Sequence, residues 1–360
     1  MTLSIFRKYT YILLPLLYIA SALVAGINGG ILRLGAATQW FPESAAIHAL
    51  LLIGGFLGSL ITLERSFNTN SRWLAAWNAL SVIFLYFHLP ILAVIVNTIT
   101  AAVLSLLLLK QFNKFGTLAQ LWMATGSLLW FAGGLVYLLD GRIAAAVPWW
   151  IAFLLFTIVA ERLDLSKFLP TPLLAKRMLN GLLSGYILSL LLPFHSLGLH
   201  LQGAFAVAIA LWLFRYDMAK RLIRKQGQFR YIGIGLTTGY FWLLAFGFTL
   251  LFGSDFSGFY ELFLHSFFVG FVFSMIWAHA PILLPALLGS RIHVYRPGLI
   301  FVWALFQLSL CGRLIAVLTT NTPLRLWLGT LNAVSILLML ASMLGPLLYQ
   351  KLSAPATSVR

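Results

Sequence analysis

What most limits this chain is the spacing of its apolar stretches. From about residue 11 to residue 347, runs close to 20 residues long recur one after another, broken only by short segments that carry charge, proline or glycine. Roughly 20 apolar residues is what a helix needs to cross about 30 Å of hydrocarbon. A closed β-barrel would instead show short segments of alternating polarity. With 61% hydrophobic and 9% charged residues, against roughly 25% charged in a soluble domain, water is not the main solvent. The sequence therefore predicts an all-α polytopic membrane protein.

Twelve spans are expected, at about 11–28, 45–63, 73–87, 90–109, 117–139, 146–160, 178–194, 197–213, 231–252, 259–284, 299–318 and 326–347. Spans three and four meet at His88-Leu89-Pro90, and spans seven and eight around Pro193-Phe194-His195-Ser196. Proline with a short polar break favours a tight hairpin over one long helix. This division places 20 of the 24 lysines and arginines on one side; Arg33, Arg142 and Arg325 fall on the other, and Arg313 lies within a span. Basic residues concentrate on the cytoplasmic side, so both termini are expected in the cytoplasm. Trp40, Trp149 and Trp150 fall where an outer aromatic belt is expected, and Trp73, Tyr216 and Tyr231 where the inner one is. Arg7 and Lys8 before the apolar run 11–27 mimic a secretory signal, but similar runs follow throughout, so this is read as the first span.

The net charge of +16 does not imply a nucleic-acid partner. Such binders cluster their basic residues on a water-facing surface, whereas here they sit between spans, where they orient the chain and meet anionic headgroups. The single cysteine, Cys311, rules out an internal disulfide or a multi-cysteine cluster. No linker divides the chain, so residues 1–350 are expected to form one transmembrane domain followed by a short cytoplasmic tail, 351–360. Glycines such as Gly54, Gly55 and Gly58, or Gly233, Gly235 and Gly239, permit close helix approach.

Ionisable groups inside a span are costly and mark functional candidates. Three stand out: His48 in span two, His265 in span ten and Arg313 in span eleven. Both histidines lie within roughly 10 Å of the outer surface, and Arg313 stands roughly 21 Å up from the cytoplasmic end. All three are thus expected in the outer leaflet. Two imidazoles with a cation nearby suit a six-coordinate haem: neutral imidazole nitrogens ligate iron, and an arginine pairs with a propionate. Gly55, seven residues after His48, returns to the same face, where a missing side chain leaves room for a flat macrocycle. The alternative is that each histidine simply hydrogen-bonds a backbone carbonyl of a neighbouring helix.

His279 follows His265 by 14 residues on the same face, a spacing resembling that of two-haem b-type cytochromes, yet the matching positions after His48 are Ile61 and Thr62. Beside Pro281 and Pro285 it reads as a kink or packing residue, with a ligand or proton-handling role as the alternative. Glu261, four residues before His265, is placed to orient it. His88, His195 and His200 fall in outer connections where a metal such as copper is conceivable. Glu64-Arg65 and Glu161-Arg162 end spans at the cytoplasmic face, where interfacial ion pairs are expected. Walker loops, nucleotide-binding glycine fingerprints and paired in-span carboxylates are missing.

The run Leu264-His265-Ser266 with Gly270 and Met275, followed by Leu308-Ser309-Leu310-Cys311-Gly312-Arg313-Leu314, resembles the C-terminal part of the NnrS family. That family is associated with haem, copper and bacterial nitric-oxide stress. Twelve spans with outer histidines in spans two and ten also resemble subunit I of the haem–copper oxidases. The resemblance implies an oxidase-like bundle with His48 and His265 as haem ligands and Arg313 as propionate partner. The oxidases carry a further histidine two residues before the span-ten ligand, where this chain has Phe263, and it has no histidine from 89 to 194, where their copper ligands fall. A complete oxidase or nitric-oxide reductase is therefore not expected.

The sequence thus points to a haem protein, b-type by default, of a bacterial inner membrane. It would transfer electrons with a redox partner, or respond to a small gas such as nitric oxide or oxygen. The competing readings are a secondary transporter of a small solute, which ordinarily shows broken helices and midplane polar groups, and a scaffold without cofactor.

Overall fold

The structure is a computed structural model that describes residues 2–36, 40–288 and 293–353. Arg291, Arg360 and residues 354–360 of the expected tail lie outside the described residues. Every regular element among the described residues is helical. In hydrocarbon this is forced, because only a helix or a closed barrel satisfies the backbone's own donors and acceptors.

The chain divides into two compact units, Met1–Phe205 and Ala206–Arg360. The boundary falls inside a continuous helix, which is why composition gives no linker there. The first unit begins with α1 (Thr2–Arg33), which packs on α2 (Ser44–Leu50) and on the π-helical turns Leu51–Gly58 that carry α2 into α3 (Ser59–Asn68). Next come α4 (Arg72–Tyr86), α5 (Pro90–Phe115), α6 (Leu118–Asp140), α7 (Ile143–Leu165) and α8 (Leu173–Leu190), consecutive helices packing on one another. The next helix, α9 (Leu199–Tyr216), crosses the boundary. The second unit continues through α10 (Ala219–Leu222), α11 (Gly227–Phe252), α12 (Phe259–His265), a π-helical stretch Ser266–Val272, α13 (Phe273–Leu287), α14 (Leu299–Leu318) and α15 (Thr322–Ser353).

Local chemistry explains the breaks. α4 stops before His88, which adopts φ +57°, and Pro90 opens α5, a position where a missing N–H costs nothing. α5 and α6 end on Gly116 and Gly141 at φ +68° and +76°, the left-handed cap that glycine takes without strain. Non-helical angles at His195 and Ser196 separate α8 from α9.

Ten helices among the described residues are long and apolar enough to cross a membrane, so this is an integral multi-pass membrane protein. The other two expected spans are α4 and α8. α4 has 15 residues, about 22 Å of helix, short of the hydrocarbon thickness. α8 has 18 residues, with Lys176 and Arg177 in its first two turns.

Small residues set the helix contacts. A Cβ on Gly29 would overlap the backbone carbonyl of Ser44; one on Gly58 would lie 2.5 Å from the Trp130 ring; one on Gly235 would lie 2.7 Å from Ala278. Trp130 itself stacks on Phe153 at 4.8 Å. Two aromatic residues expected at the interfaces are instead buried. Trp150 is 3% exposed, and Tyr231, also 3% exposed, donates its hydroxyl to the Trp277 carbonyl. Trp40 and Trp73 are exposed.

Gly29→Ala should force α1 from α2, because the obstacle is backbone, and cost about 1–3 kcal/mol. Gly181→Ala, with no atom within 4 Å of its Cβ, should leave the thermal midpoint unchanged or higher. Thermal unfolding of the two variants in one detergent checks the contact, and equal midpoints would refute it.

Candidate functional site

In the second unit four polar side chains meet where α12 passes into the π-helical stretch. Glu261 stands in the first turn of α12 and His265 at its end. Arg313 reaches them from α14 and Arg325 from the start of α15. Arg313 donates Nε–H to Glu261 Oε1 at 3.0 Å, with Nη2 2.9 Å from the same oxygen. Arg325 Nη2 lies 2.7 Å from Glu261 Oε2. Arg313 Nη2 also approaches His265 Nε2 at 3.1 Å, while His265 Nδ1 lies 2.8 Å from the Glu261 carbonyl oxygen. These contacts match one tautomer, in which Nδ1–H donates to the carbonyl and Nε2 accepts from the guanidinium.

The register that creates this meeting is fixed deeper in the unit. Trp242 Nε1–H donates to Gln307 Oε1 at 2.6 Å and Gln307 Nε2–H to Ser274 Oγ at 3.0 Å, tying α11, α13 and α14 together. Asn332 donates to the Phe306 carbonyl at 3.0 Å, tying α15 to α14. Leu262, Leu310, Leu314 and Val317 form a buried apolar cluster from the same turns of α12 and α14. The Glu261 and Arg313 side chains are 14% and 11% exposed. Two guanidiniums facing one carboxylate leave the group with one surplus positive charge.

His48 belongs to the first unit and repeats the local design. Its Nδ1 lies 2.6 Å from the Gly26 carbonyl of α1, and a Cβ on Gly30 would come within 3.0 Å of its Cε1. As in α12, the histidine precedes π-helical turns, Leu51–Gly58 three residues on here and Ser266–Val272 directly after His265 there. Such wide turns are uncommon and frequent at functional sites. Gly55 lies inside the first stretch, where a Cβ would stand 3.1 Å from Ala22 Cβ and 3.4 Å from Val82 Cγ2. Its bareness is used there by α1 and α4 rather than left open for a macrocycle.

A haem ligand needs a neutral imidazole with Nδ1–H anchored and Nε2 aimed outward. His265 and His48 each have Nδ1 held by a main-chain carbonyl, while Nε2 of His265 faces the Arg313 guanidinium.

His279 Nδ1 bonds the Met275 carbonyl of its own helix at 2.7 Å. His200 Nδ1 likewise bonds the Ser196 carbonyl at 3.0 Å, and the His88 ring packs on Phe41. Among the described residues, no three or more His, Cys, Asp or Glu side chains are grouped to hold a metal ion. At the far ends of α3 and α7, Arg65 pairs with Glu161 across helices as well as with Glu64 at 3.6 Å.

Two features escaped the sequence reading. Arg325 was counted only toward membrane orientation, yet it completes the charge cluster; a lone arginine on the sparsely basic side was its available signal. Glu261 holds His265 through its main-chain carbonyl and through Arg313.

Fold and site together define a polytopic helical membrane protein with a buried carboxylate–arginine–histidine cluster in its second unit. The chain belongs to the family described as Domain of unknown function (DUF8744), whose profile matches residues 12–347. No curated protein and no solved structure matches it.

Glu261→Gln should leave Arg313 uncompensated in an apolar setting and cost about 3–5 kcal/mol. Adding Arg313→Met should recover part of that loss. A double-variant cycle on thermal unfolding checks this, and additive effects would show that the pair is not coupled.

Proposed function

We propose that this chain is a haem-binding protein of a bacterial cytoplasmic membrane, with twelve crossings and both termini in the cytoplasm. The proposal follows the NnrS-like resemblance: His265 ligates iron, and the protein passes electrons or responds to a diatomic gas such as nitric oxide. The observation that supports it best is the setting of His265. Nδ1–H is anchored by a carbonyl, Nε2 carries the lone pair, and an arginine stands at that nitrogen.

Loading haem would exchange the Arg313–His265 bond for coordination, freeing Arg313 for a propionate, a charge-assisted pairing that arginine's fork favours. Bound haem supplies one-electron chemistry and a gas-binding metal. His265 orients it, and Arg313 and Arg325 neutralise its carboxylates. The spin state reports whether iron takes a second histidine, and the sequence nominates His48.

A secondary transporter is the second reading, favoured by one observation: a carboxylate inside a span is held between two arginines, the type of group found along intramembrane proton and ion paths.

Detergent-purified protein from haem-replete cells should show a sharp low-spin α-band on dithionite reduction. His265→Ala should abolish it, His48→Ala should convert it to a high-spin spectrum, and Arg313→Ala should shift the potential or lower occupancy. A flat spectrum would overturn the haem reading and leave transport or scaffolding. Separately, a C-terminal fluorescent-protein fusion should be bright and a C-terminal periplasmic phosphatase fusion inactive; the reverse would refute cytoplasmic termini.

A further inference from the structure

The first unit holds a buried polar site that the histidine chemistry does not use. Four elements meet there: α5 contributes Asn97 and Thr98, α6 contributes Trp130 and Gly134, α7 contributes Trp150, and the π-helical turns contribute Gly54. They enclose a cavity of about 10 Å³, measured as the room left for a water's centre. That is close to the smallest space that holds one water.

The lining is not apolar. Asn97 and Trp150 both line the cavity, and their Oδ1 and Nε1 atoms are buried with no protein hydrogen-bond partner. The residues themselves are 5% and 3% exposed. Thr98, also on the cavity wall, donates its hydroxyl to the Val94 carbonyl at 2.7 Å, which leaves its oxygen able to accept. The surrounding glycines let these groups converge: a Cβ on Gly54 would overlap the Asn97 amide, one on Gly134 would overlap the Thr98 hydroxyl, and one on Gly133 would lie 2.6 Å from Trp150 Nε1.

A buried amide oxygen or indole N–H without a partner gives up its hydration for nothing in return, and hydrocarbon outside the helices offers neither a replacement. We infer that this cavity binds one water molecule that accepts from Trp150 Nε1–H and donates to Asn97 Oδ1 and Thr98 Oγ1. One acceptance and two donations match the roughly three hydrogen bonds typical of a buried water. The indole donor of Trp150 disfavours a cation there, and the acceptor oxygens of Asn97 and Thr98 disfavour an anion. A neutral, water-sized molecule that both donates and accepts is the ligand class.

The test uses full-length protein labelled with ¹⁵N-tryptophan in nanodiscs, with the Trp150 indole signal assigned by its disappearance in Trp150→Phe. Trp122 is the internal control, because its indole donates to Asn180 Oδ1 at 2.8 Å. Trp150 should show a persistent cross-peak between its indole proton and water, and Trp122 none. Asn97→Leu should abolish the Trp150 cross-peak; the milder Asn97→Thr, which keeps an oxygen, covers the case in which the leucine variant does not fold and should weaken it. Absence of the cross-peak in the parent protein, or its full retention in a folded Asn97 variant, would overturn the inference.

Discussion

Hydrocarbon supplies no hydrogen-bond partner, and most of this architecture follows from that. The backbone answers by being helical wherever regular structure is described. Side-chain hydroxyls answer locally: Thr62 donates to the Gly58 carbonyl, Thr98 to Val94, Thr100 to Val96 and Thr157 to Phe153, each one turn back at 2.7–2.8 Å. A threonine satisfied this way has no hydroxyl proton left to place across a helix contact. The groups that cannot be settled within their own turn are amides, indoles and charges. They must find one another across helices, and where they do, the helix register is set: Trp122 with Asn180, Asn78 with Ser59, Trp242 with Gln307, Arg313 with Glu261.

The two π-helical stretches belong to the same economy of partners. A wide turn inserts an extra residue and turns the following helix face by roughly 100° relative to an uninterrupted α-helix. In the first unit this lets His48 address Gly26 on α1 while Gly58, ten residues on, presents its bare face to Trp130. In the second, His265 and Glu261 face Arg313 while Gly270 receives the Trp242 ring. One face of the helix serves the polar site and another the packing, an arrangement that strict 3.6-residue periodicity would not give both.

Much of this was legible from residue order. Apolar run length and proline or glycine punctuation locate nearly all helices, because length and backbone chemistry decide them locally. The meeting of His265 with Arg313 was legible as shared depth, since helix rise converts residue count into distance. What was not legible depends on rotation about helix axes. Trp150 reads as an interfacial residue because its position along the chain is near a span end, yet its azimuth turns it inward. Gly55 shares a face with His48 in a regular helix, but the intervening π turns void that count, and α1 and α4 occupy its surface. The division near residue 205 is silent in sequence because a continuous apolar helix runs through it.

The arginines on the sparsely basic side show how charge bias and site chemistry are joined. Arg142 is held by Asp140 through two hydrogen bonds of 2.8 Å, Arg33 donates to the Ala45 carbonyl at 3.3 Å, and Arg325 is bound by Glu261. Each has a protein acceptor of its own, whereas Arg215, Lys220, Arg221, Arg224 and Lys225 on the opposite side appear in no described ion pair. A basic residue that opposes the orienting bias needs a local reason to remain, and an acceptor in the fold provides one. Arg142 and Arg33 need only a loop carboxylate or a carbonyl near a helix end. Arg325 instead joins a carboxylate already committed to Arg313, so a structural role alone would leave its charge redundant. The surplus cation beside His265 is therefore the feature of this chain that packing does not account for, and the one on which the proposed anionic ligand rests.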